Sequence, residues 1–506
     1  MLADIVGGSY KGRYISMNPQ RTINWYIQKD QLQDEETKYK QALLCFPGLS
    51  LFTDTLKTRA RKIYVARTIS YTRCFVVANN FLFEIFTDGT NNNIGQMTSI
   101  PDDITSIWME CNDNNQVMIS NSLASYCFDM STNILTKITN VNLPGNIDYL
   151  SYSEGYILAT AGGRVYYNLN DITTWDALNV FTPTSSADKT LAAVVWRDNV
   201  HCFGQETIVQ YINDGTTPFS KQNQTTLNIG LYVIASLSVF HDGIVFVGMT
   251  KKGQYRVFYY NGSECVPVSI PSIEWQLNSP PTIQNQTWDM LTTFTWDSWY
   301  DAWGSSVETM YSEIQYSKDG HIFYYLTIPP IRTTFVYDLT TKEWVERQSY
   351  STAGGNVNRE FRGTSLVNFS GLDLWTDLYS GKIYKEDFSV STEDSNTITR
   401  IRISQLFSEE KKNISIYEFE LDCTTGVGLT TVPATTANIN FYYSRDGGNT
   451  YSSAVSLSTG VAGDFNIRTR ARSIGTARNW VFKLELTDPA DIMLQSGIIH
   501  GVIDSY

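Results

Sequence analysis

The stretch of this chain that is closest to a chemical motif is an Asp box near the C-terminus. Its sequence, Ser444-Arg445-Asp446-Gly447-Gly448-Asn449-Thr450-Tyr451, fits the pattern Ser-x-Asp-x-Gly-x-Thr-aromatic. The carboxylate of Asp446 and the hydroxyls of Ser444 and Thr450 are suited to bind backbone N–H groups across a tight turn, where Gly448 supplies a positive φ. Such boxes also repeat on the blades of some glycosidases, but here the motif occurs once. It therefore predicts a structural turn in preference to a catalytic site.

A second group of candidate residues is rich in tryptophan and aspartate. It comprises Trp288, Trp296, Trp299 and Trp303, with Asp289, Asp297 and Asp301 among them. Aromatic rings beside carboxylates resemble a sugar-binding groove, and paired carboxylates cleave glycosidic bonds when they lie roughly 5–9.5 Å apart. Tryptophans are also enriched where one protein packs against another. We favour the second interpretation, so the four tryptophans are candidate interface residues.

The sequence predicts no metal and no cofactor. Its 7 cysteines include no pair at CxxC spacing and its 4 histidines are not clustered, whereas zinc and iron–sulfur sites need such spacing. There is no Gly-x-Ser-x-Gly elbow, and Gly162-Gly163 precedes a predicted strand and not the helix N-terminus that binds phosphate. We therefore expect no catalytic residues and predict that the protein is not an enzyme.

The composition is that of a folded, acidic protein. The 506 residues carry 38 Lys+Arg against 51 Asp+Glu, a net charge of −13, and 13% of them are aromatic. Disordered chains have few aromatic residues and many charges, so this class is excluded. No apolar run reaches the roughly 18 residues of a membrane-spanning helix, and the start lacks the layout of a signal peptide, so no membrane anchor is expected. The odd number of scattered cysteines indicates a reducing compartment.

The charge balance also disfavours tight binding of DNA. Proteins that grip nucleic acid carry clustered Lys and Arg, because release of counterions from the phosphates supplies their affinity. The densest basic stretch here is residues 57–62, and DNA can pass such a surface without adhering. Arg468, Arg470 and Arg472 alternate along a predicted strand, where they either meet an acidic partner surface or form one solvated face of that strand.

Most of the chain is predicted to consist of short strand–turn–strand units. From residue 60 onward, alternating or apolar runs end at Asn, Asp or Gly, which is typical of strands joined by tight turns. The turns recur near residues 80, 121, 163, 205 and 251, at the roughly 40–50-residue period of a four-stranded propeller blade. Two related hairpins turn near residues 329 and 380. A two-sheet sandwich also has closely spaced strands, but it does not repeat one unit at a near-constant interval.

We therefore predict an all-β protein built around a β-propeller of about six blades. The propeller is expected over residues 56–400, with a tryptophan-rich insertion near 275–312. Predicted fourth strands of its blades include residues 134–138 and 175–178. Residues 1–55 are expected to form an irregular N-terminal arm that wraps or docks, and residues 401–506 an antiparallel domain resembling a β-sandwich.

Several strings occur in an order that spans nearly the whole chain. They are Gly7-Gly8-Ser9-Tyr10, Asn24-Trp25-Tyr26, Phe46-Pro47-Gly48-Leu49, Ala159-Thr160-Ala161-Gly162-Gly163, Asn168-Leu169-Asn170-Asp171-Ile172-Thr173-Thr174-Trp175-Asp176-Ala177-Leu178, Phe203-Gly204-Gln205-Glu206-Thr207-Ile208-Val209 and Phe419-Glu420-Leu421-Asp422. In this order they resemble the packaged-DNA stabilisation proteins, or tail hub (nozzle) proteins, of short-tailed bacteriophages. None of these strings falls in the tryptophan-rich segment near 275–312, so the resemblance implies nothing about a partner contact there.

The resemblance implies a structural protein of the virion tail, assembled in the cytoplasm of the bacterial host. It implies a homo-oligomer, a hexameric ring, that retains packaged double-stranded DNA and forms part of its exit channel. The expected partners are the portal-adaptor protein and the tail needle, plug or fibre proteins. The alternative is a sialidase-like propeller that binds or cleaves host-surface glycans, which would need acids and arginines converging at the central mouth of the propeller.

Overall fold

The computed structural model shows a chain built almost entirely of β-strands. It describes residues 2–3, 5–10, 17–29, 41–101, 106–169, 171–183, 188–213, 218–250, 252–278, 315–318, 320–351, 357–410, 412–429, 431–432 and 434–503. Within these ranges one α-helix, α1 (Pro271–Asn278), and two short 3-10 turns, Ile234–Ser236 and Pro329–Ile331, accompany the strands. None of the described helices combines the length and apolar character that a bilayer crossing requires.

The N-terminal segment contributes strands to three different sheets. Its strands are β1 (Leu2–Ala3), β2 (Arg21–Ile23), β3 (Trp25–Lys29), β4 (Gln41–Cys45) and β5 (Gly48–Asp54). Only β3 and β4 pair with each other, whereas β1, β2 and β5 pair with strands hundreds of residues away. The segment predicted as an arm is therefore woven into the rest of the fold.

The next four sheets are simple four-stranded antiparallel meanders, one after another along the chain. Blade 1 contains β6 (Ala60–Arg67), β7 (Thr72–Ala78), β8 (Phe81–Ile85) and β9 (Asn91–Gln96). Blade 2 contains β10 (Trp108–Cys111), β11 (Gln116–Ser120), β12 (Ser125–Asp129) and β13 (Ile134–Lys137). Blade 3 contains β14 (Tyr149–Ser153), β15 (Tyr156–Ala161), β16 (Arg164–Asn168) and β17 (Val180–Phe181). Blade 4 contains β18 (Thr190–Trp196), β19 (Asn199–Gly204), β20 (Ile208–Ile212) and β21 (Ser220–Leu227).

The remaining blades vary this plan. In blade 5 the first strand is split, so the blade contains β22 (Gly230–Leu231), β23 (Ser238–Val239), β24 (Ile244–Met249), β25 (Tyr255–Tyr260) and β26 (Cys265–Pro267). Blade 6 contains β27 (Gln315–Lys318), β28 (His321–Ile328), β29 (Thr333–Asp338) and β30 (Glu343–Ser351), and β31 (Val357–Glu360) pairs with the end of β30. Blade 7 contains β32 (Gly363–Phe369), β33 (Leu372–Asp377) and β34 (Lys382–Asp387), followed by the short strands β35 (Thr392–Glu393) and β36 (Asn396–Thr397).

The fourth strand of blade 7 is β5, which pairs antiparallel with β34 from Lys382↔Asp54 to Asp387↔Gly48. The first strand of blade 7 also contacts the first strand of blade 1, which closes the sheets into a ring. The described residues thus form seven blades, where the sequence predicted about six. The difference arises because blade 7 takes its outer strand from the N-terminal segment, so that its own stretch of sequence shows only three strands.

The hairpins predicted from the turn residues are present at the predicted places. Asn79, at a tip between second and third strands, has φ +53°, and Gly162 and Gly163 at the equivalent tip of blade 3 have φ +57° and +85°. These are left-handed conformations that Asn and Gly adopt at low cost. The predicted propeller and the separate C-terminal β domain are confirmed.

One predicted strand is wrong. Residues 175–178 form turns, and the fourth strand of blade 3 is only Val180–Phe181. The Trp175 indole is buried and its Nε1–H donates to the carbonyl of Ile172 at 2.7 Å. A buried aromatic residue beside β-formers indicated a strand, but the indole anchors a local turn instead.

The C-terminal domain is a two-sheet sandwich. Its strands are β37 (Arg400–Ile403), β38 (Ile414–Cys423), β39 (Asn438–Ser444), β40 (Val455–Ser458), β41 (Thr469–Ala477), β42 (Val481–Leu486) and β43 (Leu494–Ile503). One sheet has the order β3-β4-β43-β38-β41, and the other includes β37-β42-β39-β40. Buried rings of Phe419, Phe441 and Phe482 lie between the sheets, with centroids 4.5–5.8 Å apart. The alternation seen in the sequence follows from this single buried face.

Strand β2 joins the sandwich to the propeller. On one side Ile23 pairs in parallel with Glu346 of blade 6, and on the other β2 pairs antiparallel with β37 of the sandwich. Blade 6 and the second sheet of the sandwich are therefore one continuous ten-stranded sheet. Backbone hydrogen bonds, and not only side-chain packing, fix the two domains to each other.

Buried charges hold β2 and the preceding residues in place. The guanidinium of Arg402, only 1% exposed, donates to the carbonyls of Ile5, Gly7 and Gly8. Arg21 pairs with the fully buried carboxylate of Glu346 on blade 6. These groups replace the water that the N-terminal backbone would otherwise bind, so the segment cannot detach without exposing charge and breaking several bonds.

We predict that Arg402→Met loosens the N-terminal segment. The three carbonyls lose a charged donor, and the expected loss of unfolding free energy is about 3 kcal/mol. Thermal unfolding and limited proteolysis of residues 5–29 would measure the change. The matched control is Arg164→Met on an exposed part of β16, where we expect a change within about 0.5 kcal/mol. Equal melting temperatures and equal cleavage in the two variants would contradict the assigned role.

Candidate functional site

Side-chain hydroxyls connect neighbouring blades of the ring. The Tyr64 hydroxyl of blade 1 accepts a hydrogen bond from the backbone N–H of Cys111 in blade 2 at 3.1 Å. Equivalent bonds join Thr160 to the N–H of Ala193 (3.0 Å), Tyr324 to the carbonyl of Ser236 (3.0 Å) and Thr334 to the N–H of Phe361 (2.9 Å). Neutral hydroxyls thereby bond backbone groups across four of the junctions, those of blades 1–2, 3–4, 5–6 and 6–7.

Glu110 is the one carboxyl group with a strongly raised pKa among the described residues of the first strands of blades 1 and 2. It lies on β10 and accepts a hydrogen bond from the Tyr64 hydroxyl at 3.2 Å. Burial raises the pKa of Glu110 to about 7, and this effect is opposed by the Tyr64 hydrogen bond and by the charge of Lys62. A carboxyl that titrates near neutral pH between two blades makes the strength of that contact depend on pH.

A second group of buried charges lies at the junction between blades 6 and 7. The guanidinium of Arg347, 1% exposed, donates to the Tyr325 hydroxyl at 2.8 Å and to the carbonyl of Pro47 at 3.2 Å, and lies 3.7 Å from Glu386. Four aromatic rings surround it, those of Phe46, Tyr325, Phe361 and Trp375, with distances of 3.9–5.8 Å to the ring centroids. One buried cation thus contacts blade 6, blade 7 and the N-terminal segment.

A neighbouring network lies along blade 7 beside this cation. Arg362 approaches Asp377 at 3.7 Å and Asp394 at 3.8 Å, and donates to the Tyr384 hydroxyl at 3.1 Å. Lys382 pairs with Asp394 at 2.8 Å. These opposite charges pair with one another within blade 7.

The arginines singled out in the sequence lie on the outer face of the sandwich. Arg468 precedes β41, and Arg470 and Arg472 follow on it at alternate positions. Arg468 donates to Glu420 at 2.6 and 2.8 Å, Arg472 donates to Glu418 at 2.9 Å, and Arg470 lies 3.7 Å from Glu418. The three side chains form an ion-pair ladder with the neighbouring strand β38, which leaves a surplus of positive charge on this face. Their contact with a partner protein stays a prediction.

The same face contains the only three-residue group with metal-ligand geometry found among the described residues, namely Glu418, Glu420 and His500. His500 lies 3.8 Å from Glu420. The hydrogen bond from Arg472 to Glu418 and that from Arg468 to Glu420 hold the pKa of each carboxyl below its usual value. Because guanidinium groups already occupy these oxygens, the chemistry of the group is that of a salt-bridged surface.

The Asp box forms a tight turn after strand β39 in the sandwich. The Asp446 carboxylate accepts hydrogen bonds from the N–H groups of Asn449 and Thr450 and from the Thr450 hydroxyl. The Ser444 hydroxyl donates to the same carboxylate at 2.6 Å and accepts from the N–H of Gly448 at 2.8 Å. These bonds keep the pKa of Asp446 far below its usual value. The side chains of Ser444, Asp446 and Thr450 thus serve the turn, whereas the guanidinium of Arg445 donates to the carbonyl of Ile474 on β41.

The candidate tryptophans lie outside the described residues. Trp288, Trp296, Trp299 and Trp303 all fall between α1 and the first described strand of blade 6. Their interface role stays a prediction.

The sequence analysis missed the buried ionic groups, above all Arg347, Arg362, Glu386 and Glu110. A signal was available for some of them. Glu346 and Arg347 directly follow the apolar pair Trp344-Val345 in what the structure shows to be strand β30, and buried charges are rarely tolerated without partners. The partners themselves lie in other blades or in the N-terminal segment, so the pairing could not be read from local sequence.

A family comparison covers both domains. A model described as bacteriophage P22 Gp10, beta-propeller, matches residues 32–293, which is about half of the chain. A second, described as bacteriophage P22 Gp10, beta-sandwich, matches residues 399–500 and so coincides with the sandwich strands. The chain belongs to the bacteriophage P22 Gp10 family. The resemblance to phage stabilisation proteins drawn from the sequence is confirmed.

Membership of the Gp10 family identifies the chain as a bacteriophage structural protein of the tail. The propeller match ends at residue 293, before the first described strand of blade 6. Blade 6 and the first three strands of blade 7 therefore lie outside the match, and these two blades carry the buried ion pairs and the junction with the sandwich.

Comparison with solved structures gives matches of low similarity. The extracellular domain of the putative hybrid two component system BT4673 from B. thetaiotaomicron has 7% sequence identity and a TM-score of 0.43, with 84% of this chain and 47% of that chain covered. The Neurospora crassa Pan2 WD40 domain has 11% identity and a TM-score of 0.39, with 67% and 94% covered. The chain spans about half the length of the first of these structures. A search of curated proteins found no match.

We predict that Glu110→Gln removes a pH dependence of stability. Folding raises the pKa of this carboxyl from 4.5 to about 7, so between these values the folded protein holds a proton that the unfolded chain has lost. The free energy of unfolding of the wild type should therefore fall as pH rises through this window. The amide side chain of the variant does not titrate, so its contribution to that free energy stays constant. As the pH rises from about 5 to about 8, the free energy of unfolding of the variant should rise by about 1–3 kcal/mol relative to that of the wild type.

Thermal unfolding across this pH range is the measurement. Glu206→Gln, at an exposed turn of blade 4, is the control and should follow the wild type at every pH. Parallel curves for wild type and Glu110→Gln would show that the group does not titrate in this window.

Proposed function

We propose that the chain is a subunit of a tail hub, a homo-oligomeric ring that retains packaged DNA in a short-tailed phage and forms part of its exit channel. The observation that supports this most directly is the match of both domains to the Gp10 family in the order found in the fold. A ring of six copies is the proposed assembly.

The architecture suits a part that must resist force from a confined genome. Strand β5 completes blade 7, and the sandwich shares a sheet with blade 6. The buried guanidinium of Arg347 on blade 6 donates to the backbone just before β5. Close-packed interiors of this kind deform little, because strain in one sheet is carried to its neighbours. Such a subunit can keep a channel at constant width while DNA is held or released.

The charge suits a channel through which DNA slides. Each contact between a phosphate and a Lys or Arg adds affinity and would slow the strand. The chain has a net charge of −13, and its arginine ladder on the sandwich is paired with Glu418 and Glu420. In the proposed ring, DNA passes without tight binding.

The proposed partners are those of a tail hub. The portal-adaptor protein would lie on one side of the ring, and a tail needle, plug or fibre proteins on the other. Assembly would occur in the host cytoplasm, which agrees with the state of the cysteines, since all seven are unpaired. No group on the described surface favours the glycan-cleaving alternative.

Electron microscopy of the purified full-length chain, alone and with the portal-adaptor protein of the same phage, tests the proposal. We expect ring-shaped particles with six-fold class averages in at least one of the two samples. A mobility-shift assay with double-stranded DNA should show no retention at physiological salt, because a chain with a net charge of −13 repels the phosphates.

The outcomes separate cleanly. Monodisperse monomers in both samples, with no adaptor bound, would overturn the proposed ring. Rings that bind DNA tightly at physiological salt would keep the assembly but overturn the sliding channel. Turnover of a glycan polymer by the purified chain would replace the structural role by an enzymatic one.

A further inference from the structure

The propeller has two faces that differ in which turns they carry. In every blade the turn from the first to the second strand lies on one side of the disc, together with the turn from the third to the fourth strand. We call this side the front face. The turn from the second to the third strand and the connection to the next blade lie on the other side, the back face. This division follows from the antiparallel order of the strands and is the same all around the ring.

The front face is acidic. Four consecutive blades carry an exposed acid in the turn between their first and second strands, namely Asp113, Glu154, Asp198 and Asp242. The turns between third and fourth strands add exposed Asp88, Asp176 and Glu264. The exposed bases described at this face are Arg67, Arg197, Lys221 and Lys342. Carboxylates therefore outnumber cations on the front of blades 1–5.

The back face has the opposite character. Its exposed charged residues in the described part of the propeller are Lys137, Arg164, Lys189 and Lys252, against a single exposed acid, Glu206. The half-buried bases Lys57, Arg59 and Arg332 lie at this face as well, opposed by half-buried Asp54, Asp148 and Asp188. Among the exposed side chains described on the back of blades 2–5, four bases thus stand against one acid.

Both faces also expose large apolar side chains. On the front these are Ile69, Phe86, Leu169 and Leu178, and on the back Leu56, Leu123 and Val141. Val141 is 93% exposed and Leu178 is 84% exposed. An interface between proteins combines an apolar centre with a polar rim, so both faces have the composition of a contact surface.

The two faces are accessible on the same part of the molecule. Blades 6 and 7 are joined to the sandwich and to the N-terminal segment through β2 and β5. Blades 1–5 carry nearly all of the exposed charges and apolar side chains named above and share no strand with the sandwich. A neighbouring molecule can therefore approach them from either side.

We infer that the front face of one copy binds the back face of another copy of this chain. The occupant is a second copy because each face carries the charge that the other lacks, on a single sequence. Such a contact joins two different surfaces, so repeating it leads to a closed ring or to a filament, according to the angle between copies. The inference rests on the proposed ring and adds to it the two surfaces that meet.

Charge reversal on one face at a time tests the inference. The front variant is Glu154→Lys, Asp242→Lys and Glu264→Lys, which makes both faces positive. The back variant is Arg164→Glu, Lys189→Glu and Lys252→Glu, which makes both faces negative. In sedimentation velocity at about 0.05 M salt, each variant alone should associate about 10- to 100-fold more weakly than wild type, because like charges now face each other.

Mixing the two variants provides the decisive measurement. The positive back of the front variant can bind the negative front of the back variant, and the remaining two faces are complementary as well. The mixture should therefore recover assemblies that neither variant forms alone, and these assemblies should weaken when salt is raised to about 0.5 M. General misfolding of a variant would not produce this recovery.

The control carries three reversals of the same kind on exposed acids of the sandwich, Glu409→Lys, Glu410→Lys and Asp464→Lys, and should associate like wild type. If wild type assembles and the two face variants assemble equally well, the inference fails and the proposed ring stands. If the control is weakened as much as the front variant, net charge and not a face controls assembly. If wild type forms no oligomer at either salt concentration or with the adaptor, the ring and the inference both fail.

Discussion

The return of the N-terminal backbone to sheets formed by the end of the propeller and by the sandwich is the constraint on which the rest of this structure depends. A ring of sheets has to be closed by pairing strands that are far apart in sequence, and here β5 completes the last blade while β2 joins that part of the ring to the sandwich. Closing so long a loop costs chain entropy, but the cost grows only slowly with loop length. The hydrogen bonds and burial gained at both strands offset it. Without these two strands there would be an open ring and a separately hinged sandwich.

The buried charges lie where the N-terminal segment returns to the propeller and the sandwich. Arg347 and Arg402 each contact the N-terminal segment with a fully buried guanidinium, and their partners are backbone carbonyls, hydroxyls and a carboxylate. Taking such groups out of water is costly unless every element arrives in its correct place. Removing either guanidinium leaves its buried carbonyl partners without a donor, so these groups stabilise the correct arrangement of the N-terminal segment and disfavour incorrect ones. Aromatic rings, those of Phe361 and Trp375 among them, lie against the guanidinium of Arg347 at the same junction.

The surface is organised by a different requirement. A phage structural protein has to bind its neighbours while DNA passes without adhering, so attractive charge must be confined to particular surfaces. In this chain the arginines of the sandwich are paired with acids on the adjacent strand, and the exposed charges of the propeller are separated between its two faces. The blades that match the family model in the propeller are those with free faces, whereas blades 6 and 7 are occupied by the internal junction. Blades 6 and 7 thus hold the propeller and the sandwich together, whereas blades 1–5 have faces that other molecules can contact.

The sequence by itself determined the features that depend on neighbouring residues. Alternation of apolar and polar residues, with Asn and Gly at positions of positive φ, specified hairpins such as the one at Asn79 and the turn of the Asp box, and their spacing specified a propeller. It also specified the sandwich, because one face of each of its strands is buried. Only the tertiary structure decided the number of blades, the use of β2 and β5, and the partners of Arg347 and Arg468. The physical reason is that a strand in the N-terminal segment looks irregular when its pairing partner lies hundreds of residues away, and a charge looks exposed until the opposite charge is brought beside it.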